Sequence, residues 1–303
     1  MLTRNRARRG VTLAELLVVM TILAIVGTVL VRVIVRQQRF YAGAAELMTS
    51  RGNLRELSAV LPSDLRSLSS VGGDIYAMTD SSIDFRRVVG SSVACQIPTP
   101  TGLIIMLPPA SLGSRSAVTS WLSMPVVNDS VLVYDEGATS AVSDDSWRPY
   151  KITAITSSGG SCPTTTGFTA TNAEAIGAYK LTLSGALVAS VVQGAPIRFF
   201  RRAHYGFYRN AAGESYLGYF ECPGGTCAAM QPIAGPFMDY VAGGGGLTFS
   251  FADSTGAATA DRALVARVDV VARSRTRAPV TLTGNNRAYV TDSLAFTAAL
   301  RNR

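Results

Sequence analysis

Lysine and histidine are almost absent from this chain of 303 residues: Lys151 and Lys180 are its two lysines and His204 its one histidine. Charged residues of all kinds make up 16%, well below the usual quarter, so small neutral side chains must cover much of the surface. A lone His, with no Gly-x-Ser-x-Gly elbow and no other nucleophile paired with a base, offers no catalytic constellation. The chain is therefore not expected to be an enzyme. The same shortage, with no second closely spaced Cys pair, argues against a zinc site. Asp135-Glu136 and Asp144-Asp145 lack the alternating ligand series of a calcium loop and read as solvated turns. No metal or cofactor is expected. Glycines 243–246 precede no helical pattern, which excludes a phosphate cradle, and they read as a hairpin connection.

What is present points to a folded, β-rich chain. Apolar residues make up 48%, enough for a sizeable core, which excludes intrinsic disorder. The formal charge of +8 rests on arginine, and Arg4, Arg6, Arg8 and Arg9 lie in the first nine residues. Without them the charge falls to +4, too little to demand a nucleic-acid partner. One stretch deserves separate weighing: residues 198–209 interleave Arg198, Arg201, Arg202 and Arg209 with Phe and Tyr, as single-strand binders do. A lone basic stripe is modest for phosphate binding. The reading adopted is a strand with core aromatics and solvated arginines, and nucleic acid is not expected as a partner.

Cys95, Cys162, Cys222 and Cys227 form an even set that an oxidising compartment would convert into two disulfides, with three possible connectivities. Pro-Gly-Gly turn chemistry between Cys222 and Cys227 favours a local bridge there, leaving Cys95 with Cys162.

Residues 1–35 carry the strongest signal. The arginine leader ends at Gly10, and an apolar run from Val11 continues to Val35, broken early by Glu15 and late by Arg32. At about 1.5 Å per residue this run is long enough to cross a hydrocarbon core of about 30 Å. It is longer than an ordinary secretory signal and lacks a small-x-small cleavage site. A carboxylate in that setting costs several kcal/mol unless it is paired. Glu15 could simply reach the headgroups. If the bond after Gly10 is cut, however, the new amine of Val11 lies one helical turn from Glu15, on one face, and in a bundle each Glu15 could meet a neighbour's terminal amine.

Gly10 followed by Val-Thr-Leu-Ala-Glu15-Leu resembles the type IV prepilin signature, in which a basic leader ends in Gly and Glu is the fifth residue of the mature chain. Val11 and Ala14 stand where Phe and Ile or Val are commoner. The resemblance implies cleavage between Gly10 and Val11 by a prepilin peptidase, N-methylation of Val11, and assembly with other pilins or pseudopilins through the N-terminal helix. It also implies a single-pass inner-membrane protein with a periplasmic head, later drawn into a filament.

Downstream, Phe40, Ala44, Leu47, Leu54, Leu57 and Leu61 continue an amphipathic helix to Pro62, so the spacing predicts a leader (1–10), a helix (11–61, with the span over 11–35 and a stalk over 36–61), a linker (62–82) and a β-rich head (83–303). The sequence Asp64-Leu-Arg66 and the carboxyl-terminal strand pair resemble PilW-type minor pilins and J-type pseudopilins. Ten short runs predict strands: 83–89, 103–107, 131–135, 150–155, 179–183, 196–209, 216–221, 247–251, 264–273 and 293–300. The expected fold class is α+β, a long N-terminal helix carrying a β-rich head. The expected function is structural, as a minor pilin of a tip or initiating complex. The alternatives are a J-type pseudopilin of a type II secretion system and a membrane-anchored binding module that does not polymerise.

Overall fold

A computed structural model describes residues 12–113, 116–139, 141–157, 159–242, 244–281 and 286–301. The leader, the Gly10–Val11 junction and Gly243 lie outside the described residues. The chain is α+β, about 36% strand and 24% helix: a long N-terminal helix followed by a β-rich head. Helix α1 is continuous over Leu13–Arg66, 54 residues, and at 1.5 Å per residue it is about 80 Å long. Contacts divide the chain into two compact units, Met1–Gly52 with Arg275–Asp292, and Asn53–Ser274 with Ser293–Arg303. The expected boundaries differ from this division: residues 275–292 belong with the anchor helix, and the last turns of α1 belong with the head.

Pro62 does not stop the helix, contrary to expectation. A proline in a helix interior costs about 3 kcal/mol because it withdraws an N–H and crowds the preceding turn. Leu61 and Leu65, on either side of it, and Leu68 just past the helix end are fully buried, and each buried leucine stabilises by about 1.5–3 kcal/mol. The leucine contacts therefore win. Ser63 and Ser67 return their hydroxyls to the carbonyls of Val60 and Asp64, at 2.9 and 2.7 Å.

In the first unit the covered face of α1 overlaps the expected one only in part: Ala44 and Leu47 are half-buried. Phe40 is exposed, whereas Gly43 and Ser50 are buried. A β-carbon on Gly43 would stand 3.3 Å from that of Val280, so the missing side chain lets the segment around Val280 lie close. The ribbon is tied down by the Arg277 amide donating to Glu46 at 2.8 Å and by an Arg51–Asp292 ion pair at 2.9 Å.

The strands are β1 (Ile75–Met78), β2 (Ser82–Val93), β3 (Ile104–Leu107), β4 (Ser120–Trp121), β5 (Ser130–Asp135), β6 (Ser146–Thr156), β7 (Tyr179–Leu183), β8 (Pro196–Arg209), β9 (Ser215–Glu221), β10 (Gln231–Phe237), β11 (Leu247–Ala252), β12 (Arg267–Arg275), β13 (Val280–Thr281), β14 (Arg287–Ala288) and β15 (Thr291–Ala299), with a short helix α2 (Asn172–Ile176) before β7. Ten of them form an antiparallel sheet whose main path runs β1-β2-β8-β5-β6-β7-β3, with β9 beside β8, β10 beside β9 and β4 beside β2. A smaller sheet has the order β11-β12-β15, and β13 pairs with β14. Each of the ten predicted strands overlaps an observed one.

Two apolar clusters fill the second unit. One places Leu54, Leu57, Leu61, Leu65 and Leu68 of the α1 end against residues of β2, β8, β9 and the smaller sheet, among them Phe85, Tyr205, Phe249 and Val270. The other gathers Val131, Val133, Ile152, Leu181, Ile197 and Phe199 on one face of the large sheet. Glycines 244–246 do not join a hairpin, since β10 and β11 belong to different sheets. A β-carbon on Gly246 would fall 1.7 Å from the Met238 carbonyl oxygen, so this glycine serves a close backbone approach in a crossover.

Disulfides join Cys95 to Cys162 and Cys222 to Cys227. Cys95 and Cys162 are fully buried beside Ala178, whereas Cys227 is exposed. Gly224 and Gly225 lie between Cys222 and Cys227 with φ of 64° and 87°, the left-handed region in which a missing β-carbon removes the steric penalty. On loop-closure entropy the long loop contributes about 4 kcal/mol and the short one about 2. Graded reduction followed by alkylation and mass mapping should therefore label Cys222 and Cys227 first. Removing the Cys95–Cys162 bridge should lower stability to denaturant more than removing the other. Equal losses would contradict the loop argument.

Candidate functional site

Two regions of the sequence invite functional reading, the start of α1 and the arginine-rich strand β8. The first begins with Thr12, whose hydroxyl accepts from the Glu15 amide at 3.3 Å, while Glu15 Oε2 accepts from the Thr12 amide at 2.9 Å and from its hydroxyl at 3.1 Å. This is a capping box: side chains at the N-cap and third helical positions each satisfy the other's backbone N–H. Its signal, Thr followed three residues later by Glu just before an apolar run, stands in the sequence but is masked by the charge of Glu15 in an apolar stretch. Glu15 Oε1 has no hydrogen-bond donor among the described residues, and the side chain is exposed.

Beyond Glu15 the helix is apolar on every side. Leu16, Leu17, Val18, Ile22, Leu23, Val26, Val29 and Leu30 are all exposed, and the most apolar window is entirely unburied in the chain. A helix of this kind needs an apolar surrounding, either lipid or other helices. Its two hydroxyls are compatible with that. Thr21 donates to the Val18 carbonyl at 2.8 Å and Thr28 to the Ala24 carbonyl at 2.7 Å, so neither is left unpaired in a medium without water.

The second region proves to be an ion-pair network. Arg202 and Arg209 are exposed, but the expectation that the β8 arginines are solvated fails at Arg201, which is 7% exposed. Its Nη2 meets Asp129 at 2.8 Å and its Nη1 meets Glu221 at 3.0 Å, and further bonds reach Ser123 Oγ and the Met124 carbonyl, both at 3.1 Å. These contacts use the planar fork of guanidinium donors that lysine lacks. Arg202 pairs with Asp84, which also faces His204 Nδ1 at 3.6 Å. His204 stacks on Phe220 with ring centroids 4.6 Å apart. Burial holds its pKa below the ordinary histidine value, against the pull of Asp84. On β2, Arg87 meets Glu221 and the Tyr219 hydroxyl, and Asp64 of the Asp-Leu-Arg sequence accepts from the Tyr205 hydroxyl at 2.7 Å. Arginines committed to carboxylates in this way are not free for phosphates.

Of the acidic pairs read as solvated turns, Glu136 is exposed, but Asp135 and Asp144 are engaged by the fold. Asp135 is fully buried and meets Arg148 at 2.8 Å. Asp144 Oδ2 accepts from the amides of Ala138 and Thr139 at 3.0 and 2.9 Å, so it clamps a loop. Among the described residues no group of three or more His, Cys, Asp or Glu could hold a metal ion.

A family model described as the prokaryotic N-terminal methylation motif matches residues 5–31. No curated protein and no solved structure matches the chain. The chain thus carries a type IV prepilin-like N-terminal motif at the head of a long apolar helix, which supports a pilin- or pseudopilin-type protein and is consistent with membrane anchoring.

Two outcomes follow from these geometries. Thr12→Ala should cost the first turn of α1 about 1 kcal/mol, read as faster amide exchange at residues 13–16 in detergent micelles, with the rest of α1 unchanged. Arg201→Met should lower unfolding free energy by about 3–5 kcal/mol, because Asp129 keeps its burial and loses its counter-charge while Glu221 keeps only Arg87. Burial pushes the Glu221 carboxyl up, but hydrogen bonds from Tyr219 and Arg201 and the charge of Arg87 outweigh it and leave the pKa below the ordinary glutamate value. A depressed folded-state pKa gives stability that is present above the unfolded value of about 4.3 and is lost as pH falls below it. Denaturant titrations from pH 6 to pH 3 should show that loss, and it should shrink in Arg201→Met.

Proposed function

We propose that this chain is a minor subunit of a type IV pilus, seated in a tip or initiating complex. The observation that carries the reading is the methylation motif over residues 5–31 leading into a helix that is apolar on every side and capped by Glu15. In this reading a prepilin peptidase cuts between Gly10 and Val11 and Val11 is methylated. The head stays on the periplasmic side while the apolar helix anchors the chain in the inner membrane. Extraction into a filament then exchanges lipid for the helices of neighbouring subunits. That exchange preserves the apolar surrounding which the span requires.

Glu15 supplies the register. Its Oε2 is engaged by Thr12 and its Oε1 accepts no bond among the described residues, so the carboxylate can meet a neighbour's Val11 amine without giving up the helix cap. A charge pair in an apolar filament core discriminates strongly against subunits that are out of step, because an unpaired charge there costs several kcal/mol. The head argues for a minor position. Over 200 residues follow the helix, bulky for a closely packed shaft and tolerable at a tip. The same motif would serve a pseudopilin of a type II secretion system, and the machine encoded beside the gene discriminates between them: a retraction motor for a pilus, a secretin with secreted hydrolases for secretion.

Mass spectrometry of the native N-terminal peptide should show a chain beginning at Val11 with an added methyl group. An intact Met1 would leave a plain membrane anchor that does not polymerise. Glu15→Ala should retain membrane insertion and lose most of its incorporation into filaments, measured as the sheared-filament fraction relative to total protein. Unchanged incorporation would remove the register role.

A further inference from the structure

Several arginines of the head pair with carboxylates, among them Arg86, Arg148, Arg201 and Arg202, whereas Arg198 and Arg301, which line one cavity, do not. A cavity of 540 Å³ opens on the large sheet, on the face opposite the buried Val131, Ile197 and Phe199. Adjacent strands supply its lining in register: Val88 of β2 lies opposite Phe200 of β8, and Arg198 of β8 lies opposite Leu132 of β5, which lies opposite Pro149 of β6. Arg86, Trp147 and Arg301 complete the charged and aromatic part of the wall, with Asp74 beside Arg86.

The charges do not balance. Arg86 meets Asp74 at 3.2 Å, which accounts for one cation and the one carboxylate in the lining. Among the described residues Arg198 and Arg301 make no hydrogen bond and no ion pair. Arg198 instead lies over the Trp147 ring, 4.5 Å from its centroid, and Arg86 lies 5.6 Å from the centroid of Phe200. Arg198 is half-buried, and burial together with the neighbouring charge of Arg301 pulls its pKa below the ordinary arginine value. Everywhere else on β8 the fold has met such a cost with Asp or Glu: Asp129 and Glu221 for Arg201, and Asp84 for Arg202. Here a single carboxylate, Asp74, bonded to Arg86 and attracting Arg198 only at longer range, faces three arginines, and the gap is open to solvent and of the size that small ligands fill.

We propose that this cavity is a binding site for a small organic anion, a carboxylate or phosphate borne on a body with a flat face. The oxyanion lies between Arg198 and Arg301 and accepts their N–H groups, a pairing that guanidinium geometry favours. The flat face lies against the apolar floor around Phe200 and Trp147. The site is independent of the N-terminal helix, so the head would bind such a ligand whether or not the chain polymerises.

The test is titration of the full chain in detergent micelles with benzoate, phenyl phosphate and the uncharged benzamide, following tryptophan fluorescence. Trp147 is one of two tryptophans, and Trp121→Phe leaves it as the single reporter. Benzoate or phenyl phosphate should give a saturable change that weakens with added salt, and benzamide should give none. The tighter of the two anions identifies the oxyanion as carboxylate or phosphate. Arg198→Gln should weaken binding at least about tenfold, the scale of one charge-assisted hydrogen bond. Arg301 is exposed, so Arg301→Gln keeps the fold and should weaken binding similarly even if the Arg198 variant does not fold. Absence of a saturable response to either anion, an equal response to benzamide, or wild-type affinity in Arg301→Gln would overturn the proposal.

Discussion

A helix whose first half is apolar on every side and whose second half is apolar on one side imposes the main constraint on this chain. The change of character falls between Val35 and Gly43. Before it, no side chain has a preferred direction, and the helix is at home in any surrounding without water. After it, the covered positions recur at three- and four-residue steps through Gly43, Leu47, Ser50, Leu54, Leu57, Leu61 and Leu65, a stripe that fixes which face meets the protein. The leucines from 54 onward are central to the head's first core cluster. A helix that reads as anchor over its first turns is therefore structural core over its last, and the head cannot complete its fold without the end of that helix.

The strands were legible where burial alternates. In β12, Val268, Val270 and Ala272 are buried while Arg267 is exposed, a period of two that the sequence displays directly. The strands that escaped reading lack that signal for particular reasons. β1 is four residues long and β4 is two. β10 contains Pro232, Gly235 and Pro236, residues that ordinarily argue against a strand; it survives with register shifts along its pairing with β9. Pro62 misled in the opposite direction, because a local breaker was weighed without the leucines that pack around it. The N-terminal motif was legible almost completely, since it is a linear pattern and owes nothing to tertiary contacts. The capping box was equally linear, and recognising it required treating Glu15 as a helix-terminal residue before treating it as a buried charge.

Electrostatics in the head could not be read from composition. The few charges suggested a surface covered by neutral side chains and arginines extending into water. The structure uses many of them internally: Arg201 with Asp129 and Glu221, Arg87 with Glu221, Arg148 with Asp135, and Arg86 with Asp74. The partners lie from 12 residues apart for Arg86 and Asp74 to 134 for Arg87 and Glu221, beyond any helical or turn spacing, so no local pattern announces them. The preference for arginine over lysine fits this use. A planar fork can bond two carboxylates and a carbonyl at once, as Arg201 does, whereas an ammonium on a flexible stem would leave more of that polar environment unsatisfied.

The capping box also bears on how a filament would be held in register. Before processing, the Glu15 carboxylate is turned back on its own chain by the Thr12 amide and hydroxyl, near the positive end of the helix dipole. Cleavage after Gly10 would add an ammonium one residue before Thr12, a second claimant within the same chain. The intermolecular pair must therefore compete with intramolecular ones of similar chemistry. It prevails only where neighbouring helices bring a terminal amine to the open Oε1 while Oε2 keeps its cap, so the carboxylate is satisfied on both oxygens in a single staggered arrangement. On the proposed reading, the cap would keep the charge from being stranded in the bilayer, where no neighbour is fixed, and the second oxygen would favour one register in a filament.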